Sequence, residues 1–162
     1  MKYSYPLFIN LNGRDNMYSE KYGRKIKSME NKVFLGGTCN ESTWRDEIIP
    51  QLKIKYFNPV VDDWTPECQA EEERQKNEVC NIHLYVITPR MTGVFSIAEA
   101  VESAILKKEN CVFCYLANDG SYTFIKGQLK SLNAVANMVK KHGGSIAFSL
   151  DEVVSILNSK IQ

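Results

Sequence analysis

From Lys32 onward the chain alternates between two rhythms of apolar residues. Short apolar runs at residues 33–35, 54–58, 82–88, 111–116 and 145–148 predict five strands. The second of them is stopped by Pro59. Between the runs, apolar residues recur at helical spacing. Trp44, Ile48, Ile49 and Leu52 form one stripe, with Thr43 placed to cap the helix and Pro50 to shape its end. Ile97, Val101, Ala104 and Ile105 form a second, and Ile125, Leu129, Leu132, Ala136 and Val139 a third that ends at Gly143-Gly144. Ser149-x-x-Glu152 is a capping box opening a last helix, with Val153, Val154 and Leu157 inside. Thr65-Pro66 reads as an N-cap and a first helical residue. The helix it opens, to about Val79, is mostly polar and is expected to be largely solvated.

Strands this apolar are buried on both faces, so alternating strands and helices imply a parallel sheet covered on both sides. The expected fold class is α/β: a flavodoxin-like or Rossmann-like doubly wound sheet of about five parallel strands. Ligands in such folds bind outside the carboxyl ends of the strands. That rule selects the loops at residues 36–43, 58–65, 88–97 and 116–124.

A chain of 162 residues suits one domain, here residues 32–162, preceded by an extension at residues 1–31. The extension is hard to read. Residues 5–10 suggest a strand, Leu11 to Gly13 a turn, and residues 14–32 a loop or short helix. The net charge of +1 gives no bulk attraction to nucleic acid or a membrane surface. No apolar run approaches the roughly 18 residues that span a bilayer, and the start lacks an apolar signal core, so a cytoplasmic protein is expected. Five cysteines, an odd number, suggest reduced thiols. Cys111 and Cys114 stand three apart on a strand and point to opposite faces, an arrangement for burial and not for chelation. No metal site is expected.

The first loop, from Gly36 to Arg45, has two readings. It is a tight strand-to-helix turn, or Gly36 and Gly37 let backbone amides cradle a ribose or monophosphate, with Thr38 and Arg45 as ligands. It is neither a GxGxxG nor a Walker loop. In the second loop, Asp62, Asp63 and Trp64 suit a nucleobase, or else form turn chemistry with Trp64 as a packing anchor. The third loop leads through Arg90, Gly93 and Ser96 to Glu99. On a helical wheel whose apolar face lies between Ile97 and Val101, Glu99 projects outward with Glu102 and Ser103. That alone describes a solvated glutamate. Its expected place in a first helical turn above a strand end argues for a carboxylate that meets a ligand, as nucleophile or as stabiliser of an oxocarbenium ion.

Val33-Phe-Leu-Gly-Gly-Thr38, Trp44-Arg45, Phe57-Asn-Pro59, Trp64 and Gly93-x-x-Ser-x-x-Glu99, in that order, resemble the nucleoside 2-deoxyribosyltransferase-like family over roughly residues 32–158. The resemblance implies a flavodoxin-like fold and cleavage of the N-glycosidic bond of 2′-deoxynucleosides or their 5′-monophosphates. It makes Glu99 the nucleophile that forms a covalent deoxyribosyl-enzyme, with a second base or water as acceptor. It also implies no metal or organic cofactor, and a homodimer or higher homo-oligomer. Gly37 and Thr38 would line the sugar, Ser96 would meet sugar or phosphate, and Asp62, Asp63 and Trp64 would meet the base. Two positions depart from the family pattern. Phe34 stands where a tyrosine positions the glutamate, and Arg90-Met-Thr92 where an aspartate precedes the glycine. The arginine suggests a charged substrate such as a nucleotide. These departures motivate two alternatives: a nucleotide-binding or sensing module without turnover, and an NAD-cleaving glycohydrolase.

Overall fold

A computed structural model describes residues 30–161. The elements expected over residues 5–29 lie outside the described residues. The chain runs β1 (Lys32–Gly37), α1 (Trp44–Ile48), β2 (Lys55–Phe57), α2 (Pro66–Arg74), β3 (Ile82–Ile87), α3 (Phe95–Lys107) and β4 (Cys111–Tyr115). A small antiparallel hairpin follows, β5 (Asn118–Asp119) and β6 (Tyr122–Thr123), then α4 (Lys126–Lys141), β7 (Ser145–Ala147) and α5 (Leu150–Asn158). The five longer strands form one parallel sheet in the order β2-β1-β3-β4-β7. The doubly wound α/β reading is therefore correct, and the order reverses between β1 and β3.

Alternate strand residues build two cores. Val33, Leu35, Leu84, Val86, Val112 and Cys114 pack under α1 and α5 through Trp44, Ile48, Val153 and Leu157. Phe34, Tyr85, Phe113 and Tyr115 pack under α3 and α4 through Ala100, Ala104, Leu132, Ala136 and Val139. Cys111 and Cys114 fall in different cores, on opposite faces of the sheet. Burial pushes both thiols up to about 12.

The helix ends follow local chemistry. Thr65 caps α2 by accepting from Cys68 N at 3.2 Å, with Pro66 first in the helix. Ser149 caps α5 by accepting from Glu152 N at 3.2 Å. Thr43 makes no such bond at α1. That helix stops at Ile48 and tightens into a 3₁₀ turn at Ile49–Gln51, where Pro50 offers no N–H, so Leu52 lies beyond it. The hairpin in the fourth loop is too short for an alternating pattern to reveal.

One expectation fails at α3. Its buried residues are Ala100, Ser103 and Ala104, whereas Ile105 and Leu106 are 50% and 69% exposed. Ile97 turns toward α4, in a crevice it shares with Met91, Leu132 and Val135. Small residues let α3 lie close on the sheet, so the face with the smallest side chains turns inward and not the face with the largest apolar ones. The helix is thus rotated about its axis relative to the wheel, and Glu99, next to Ala100, swings toward the sheet.

Candidate active site

A cleft of about 430 Å³ opens over the carboxyl end of β1, between α2 and the start of α3. Phe34, Gly36 and Gly37 form its β1 side, and Pro59 and Trp64 reach in from the loop after β2. Gln69, Glu72 and Glu73 line it from α2, Lys76 from the turn that follows α2, and Phe95, Ser96 and Glu99 from α3. Cys39 and Arg45 complete the wall. The cleft lies at the point where the strand order reverses, the place where open α/β sheets bind ligands.

The two glycines are required by strand packing. A Cβ at Gly36 would stand 2.7 Å from Cε1 of Tyr85, its neighbour across the β1–β3 ladder. Gly37 has φ +120°, and a Cβ there would stand 2.1 Å from the carbonyl oxygen of Val86. The same close approach lets Thr38 N donate to Val86 O at 2.9 Å.

Glu99 is half-buried and paired. Lys76 Nζ donates to its Oε1 at 2.5 Å, and the two side chains are only 13% and 16% exposed. The helix begins at Phe95, with no acidic residue in its first turn. Glu99, the fifth residue of the helix, therefore falls at the start of its second turn and not in the first, where Ser96 stands. The charge beside the carboxylate is the Lys76 ammonium, while the helix-end effect fades within the first turn. Glu72 shares the cleft, and burial, with the Glu99 charge adding, lifts its carboxyl above the usual glutamate range. Among the described residues no group of three or more His, Cys, Asp or Glu side chains is placed to hold a metal ion. No helix among them is long and apolar enough to cross a membrane.

Of the residues singled out in the sequence, Phe34, Gly36, Gly37, Arg45, Trp64, Ser96 and Glu99 meet around this one cleft. Arg45 is buried and committed to the backbone. Its Nε and Nη2 donate to Leu35 O at 3.1 and 2.9 Å and its Nη1 to Thr38 O at 2.8 Å. Thr38 is buried and accepts from Thr88 N at 2.9 Å, tying the end of β1 to the end of β3. Trp44 is in the core, its Nε1 donating to Thr38 O at 2.8 Å. Asp62, Asp63 and Gly93 are exposed and do not line the cleft. Arg90 lies in a different crevice, between the starts of α1 and α5. There its Nε donates to Asp119 Oδ1 at 3.3 Å and its guanidinium stacks over Tyr122 at 4.5 Å.

Glu72 and Lys76 do not stand out in the sequence. Their signal is a polar stripe, Gln69, Glu72, Glu73 and Lys76, at the i, i+3, i+4, i+7 spacing of one helix face. In a helix expected to be largely solvated, such a stripe looks like ordinary surface. In the folded chain it is a wall of the cleft.

Below the cleft, His83 is buried on β3. Burial, with the Lys107 charge adding, pushes its pKa down to about 4. The unfolded chain takes up this proton first as pH falls, since its histidine titrates near 6.5. The associated stability is fully present above about pH 6.5 and is lost as pH drops toward 4. Wild type should lose about 2 kcal/mol more than His83→Gln between pH 7 and 4.5. Urea unfolding midpoints of the two proteins at both pH values measure this, and equal losses would show that His83 charges freely in the native state.

A family model described as nucleoside 2-deoxyribosyltransferase like matches residues 30–117, more than half of the chain. The match runs from the start of β1 past the end of β4 and contains every residue lining the cleft. No curated protein and no solved structure matches the chain.

Proposed function

The chain belongs to the nucleoside 2-deoxyribosyltransferase-like family, and from that premise we propose that it breaks the N-glycosidic bond of a 2′-deoxynucleoside with Glu99 as nucleophile. The observation that carries this reading is a half-buried, lysine-paired carboxylate facing a cleft at the reversal point of the sheet. Trp64, 57% exposed at the rim, offers a ring face on which a base can stack. Gly36 and Gly37 line the cleft where a sugar could lie, and the Ser96 hydroxyl is available to it.

The steps follow from these positions. A Glu99 oxygen attacks the anomeric carbon, and the bond to the base breaks with its electron pair passing to the base nitrogen. The departing base needs a proton, and Glu72, whose carboxyl is biased toward the protonated form, is placed to supply it. The resulting deoxyribosyl ester is then attacked at the same carbon by a second base or by water, which gives its proton to the Glu72 carboxylate, and Glu99 leaves as carboxylate.

The charges of the cleft favour a substrate without a phosphate. Among the described residues that line it, the cations are Lys76, paired with Glu99, and Arg45, bonded to backbone carbonyls. Against them stand Glu72, Glu73 and Glu99. Arg90, the residue that suggested a charged substrate, faces the other crevice. Deoxynucleosides should therefore exceed their 5′-monophosphates in kcat/KM by roughly 10-fold or more, because like charge at a binding surface is costly. Base release from both substrate sets, followed by chromatography, tests this. Faster turnover of the monophosphates would overturn the charge argument, and no base release from either would overturn the reaction. With the poorest leaving bases, Glu72→Gln should be the slower enzyme if Glu72 is the proton donor.

A further inference from the structure

A chain of buried polar groups runs beneath α3 and ends at Lys76. His83 Nε2 lies 2.8 Å from Lys76 O and 3.3 Å from Cys80 O. Both are carbonyl acceptors, so Nε2 carries the ring proton and Nδ1 is the acceptor. Nδ1 lies 2.9 Å from Ser103 Oγ, which must therefore donate to it. With its hydrogen committed, Ser103 Oγ accepts from the Tyr85 hydroxyl at 3.1 Å. The bonds point one way, from Tyr85 through Ser103 and His83 to the carbonyl of Lys76. No buried side-chain nitrogen or oxygen among the described residues is left without a partner.

That carbonyl belongs to a weak place in the helix. After Arg74 the chain continues as a single π-helical turn, Gln75–Val79, which Cys80 N closes by donating to Gln75 O at 2.8 Å. Carbonyls near a helix end lack intrahelical partners and need others. His83 supplies one to Lys76 from the neighbouring strand. On the other side, Ser103 stands one turn beyond Glu99 on the same inward face of α3. The chain thus ties together the three elements that set the gap between the Lys76 ammonium and the Glu99 carboxylate: β3, α3 and the π-helical turn that follows α2.

We propose that the buried Tyr85–Ser103–His83 chain is a positioning device, which holds the backbone of Lys76 so that its ammonium pins the Glu99 carboxylate in the cleft. The role of Glu99 is taken from the reading above; the pinning itself is a matter of geometry and can be observed without turnover. Tyr85, Ser103 and His83 act through Lys76 and are positioning residues. Burial keeps His83 neutral, as the acceptor role of Nδ1 requires, across the neutral pH range. The charged groups around it are Lys76, Glu102 and Lys107.

The test uses the whole chain in solution. It contains only two histidines, His83 and His142, so long-range proton–nitrogen spectra resolve the tautomer of each. His83 is expected as the Nε2–H form from pH 6 to 8. The Lys76 ammonium, shielded by its pairing, should give a slowly exchanging signal, assigned by its loss in Lys76→Arg. That signal should vanish in His83→Leu and in Ser103→Ala, and persist in His83→Gln, whose side-chain amide can still donate to the Lys76 carbonyl. Ser103→Ala removes only one oxygen and serves if His83→Leu does not fold. On a deoxynucleoside, Ser103→Ala should lower kcat roughly 10-fold with KM little changed, and His83→Gln should stay near wild type, as expected for a misplaced nucleophile. An Nδ1–H tautomer at His83, or a Lys76 signal unchanged in both disrupting variants, would overturn the proposal. If the signals follow the expected pattern while wild type releases no base, the positioning chain stands and the nucleosidase reading falls.

Discussion

Glu99→Gln is expected to abolish base release, lowering kcat on the order of 10⁴-fold or more, while retaining the fold. The amide keeps the size of the carboxylate and an oxygen that can accept from Lys76 Nζ. What it loses is the negative charge, and with it the ability to attack an anomeric carbon and to leave again as a stable anion. Lys76 loses its ionic partner where both side chains are largely buried, but it keeps an oxygen acceptor, so the melting temperature should fall by several degrees. Intact-protein mass spectrometry gives the decisive contrast. Wild type quenched during turnover should carry a deoxyribosyl adduct, and Glu99→Gln should carry none. A variant that still turns over at a near wild-type rate would remove Glu99 from the chemistry.

The second large effect is structural. Gly37→Ala should destabilise the protein by roughly 4 kcal/mol or more, a size reserved for substitutions that break packing outright. The residue has φ +120°, a conformation that side chains rarely adopt. The added Cβ would lie 2.1, 2.6 and 2.8 Å from O, N and C of Val86, all backbone atoms of a central strand that cannot rotate away. Relief requires β1 and β3 to separate where their ladder ends, which also breaks the bond from Thr38 N to Val86 O. A loss of about 10 °C or more in melting temperature is expected for a chain of this length, read by calorimetry or circular dichroism. A melting temperature near wild type would mean that the two strands do not approach this closely at Gly37.

Gly36 and Gly37 show how one sequence feature can support two readings at once. A tight turn and a ligand cradle both call for glycine after a strand. The packing of β3 against β1 explains both residues, since the Tyr85 ring lies where a Gly36 side chain would be and Val86 lies against Gly37. Both residues also line the cleft. Arg45 and Thr38 illustrate the same ambiguity with the opposite result. Polar residues beside a glycine loop suggest ligand contacts, but their side chains are buried and bonded to the backbone. Composition cannot tell a polar group aimed at a ligand from one aimed at the carbonyls and amides of a neighbouring strand end.

Local pattern determined much of this protein. The apolar runs of β1, β3 and β4 are buried on both faces, and with helices between them that demands a parallel sheet, whereas the edge strand β2, also expected to be buried, is largely exposed because only one side of it is paired. Thr65, Ser149 and the glycines after α4 marked helix ends because caps and left-handed turns depend on adjacent residues alone. The same locality put Glu99 near the carboxyl end of β3 and Trp64 in the loop after β2. Tertiary structure decided the rest. The rotation of α3 depended on which side chains were small enough to lie on the sheet, and that choice turned Glu99 inward. Lys76 is 23 residues from Glu99, and Ser103 is 20 from His83. Arg90 went to Asp119, 29 residues on, and left the cleft without it. Such pairs form between elements that a parallel sheet brings together from distant parts of the chain, so no periodicity of 2 or 3.6 residues records them.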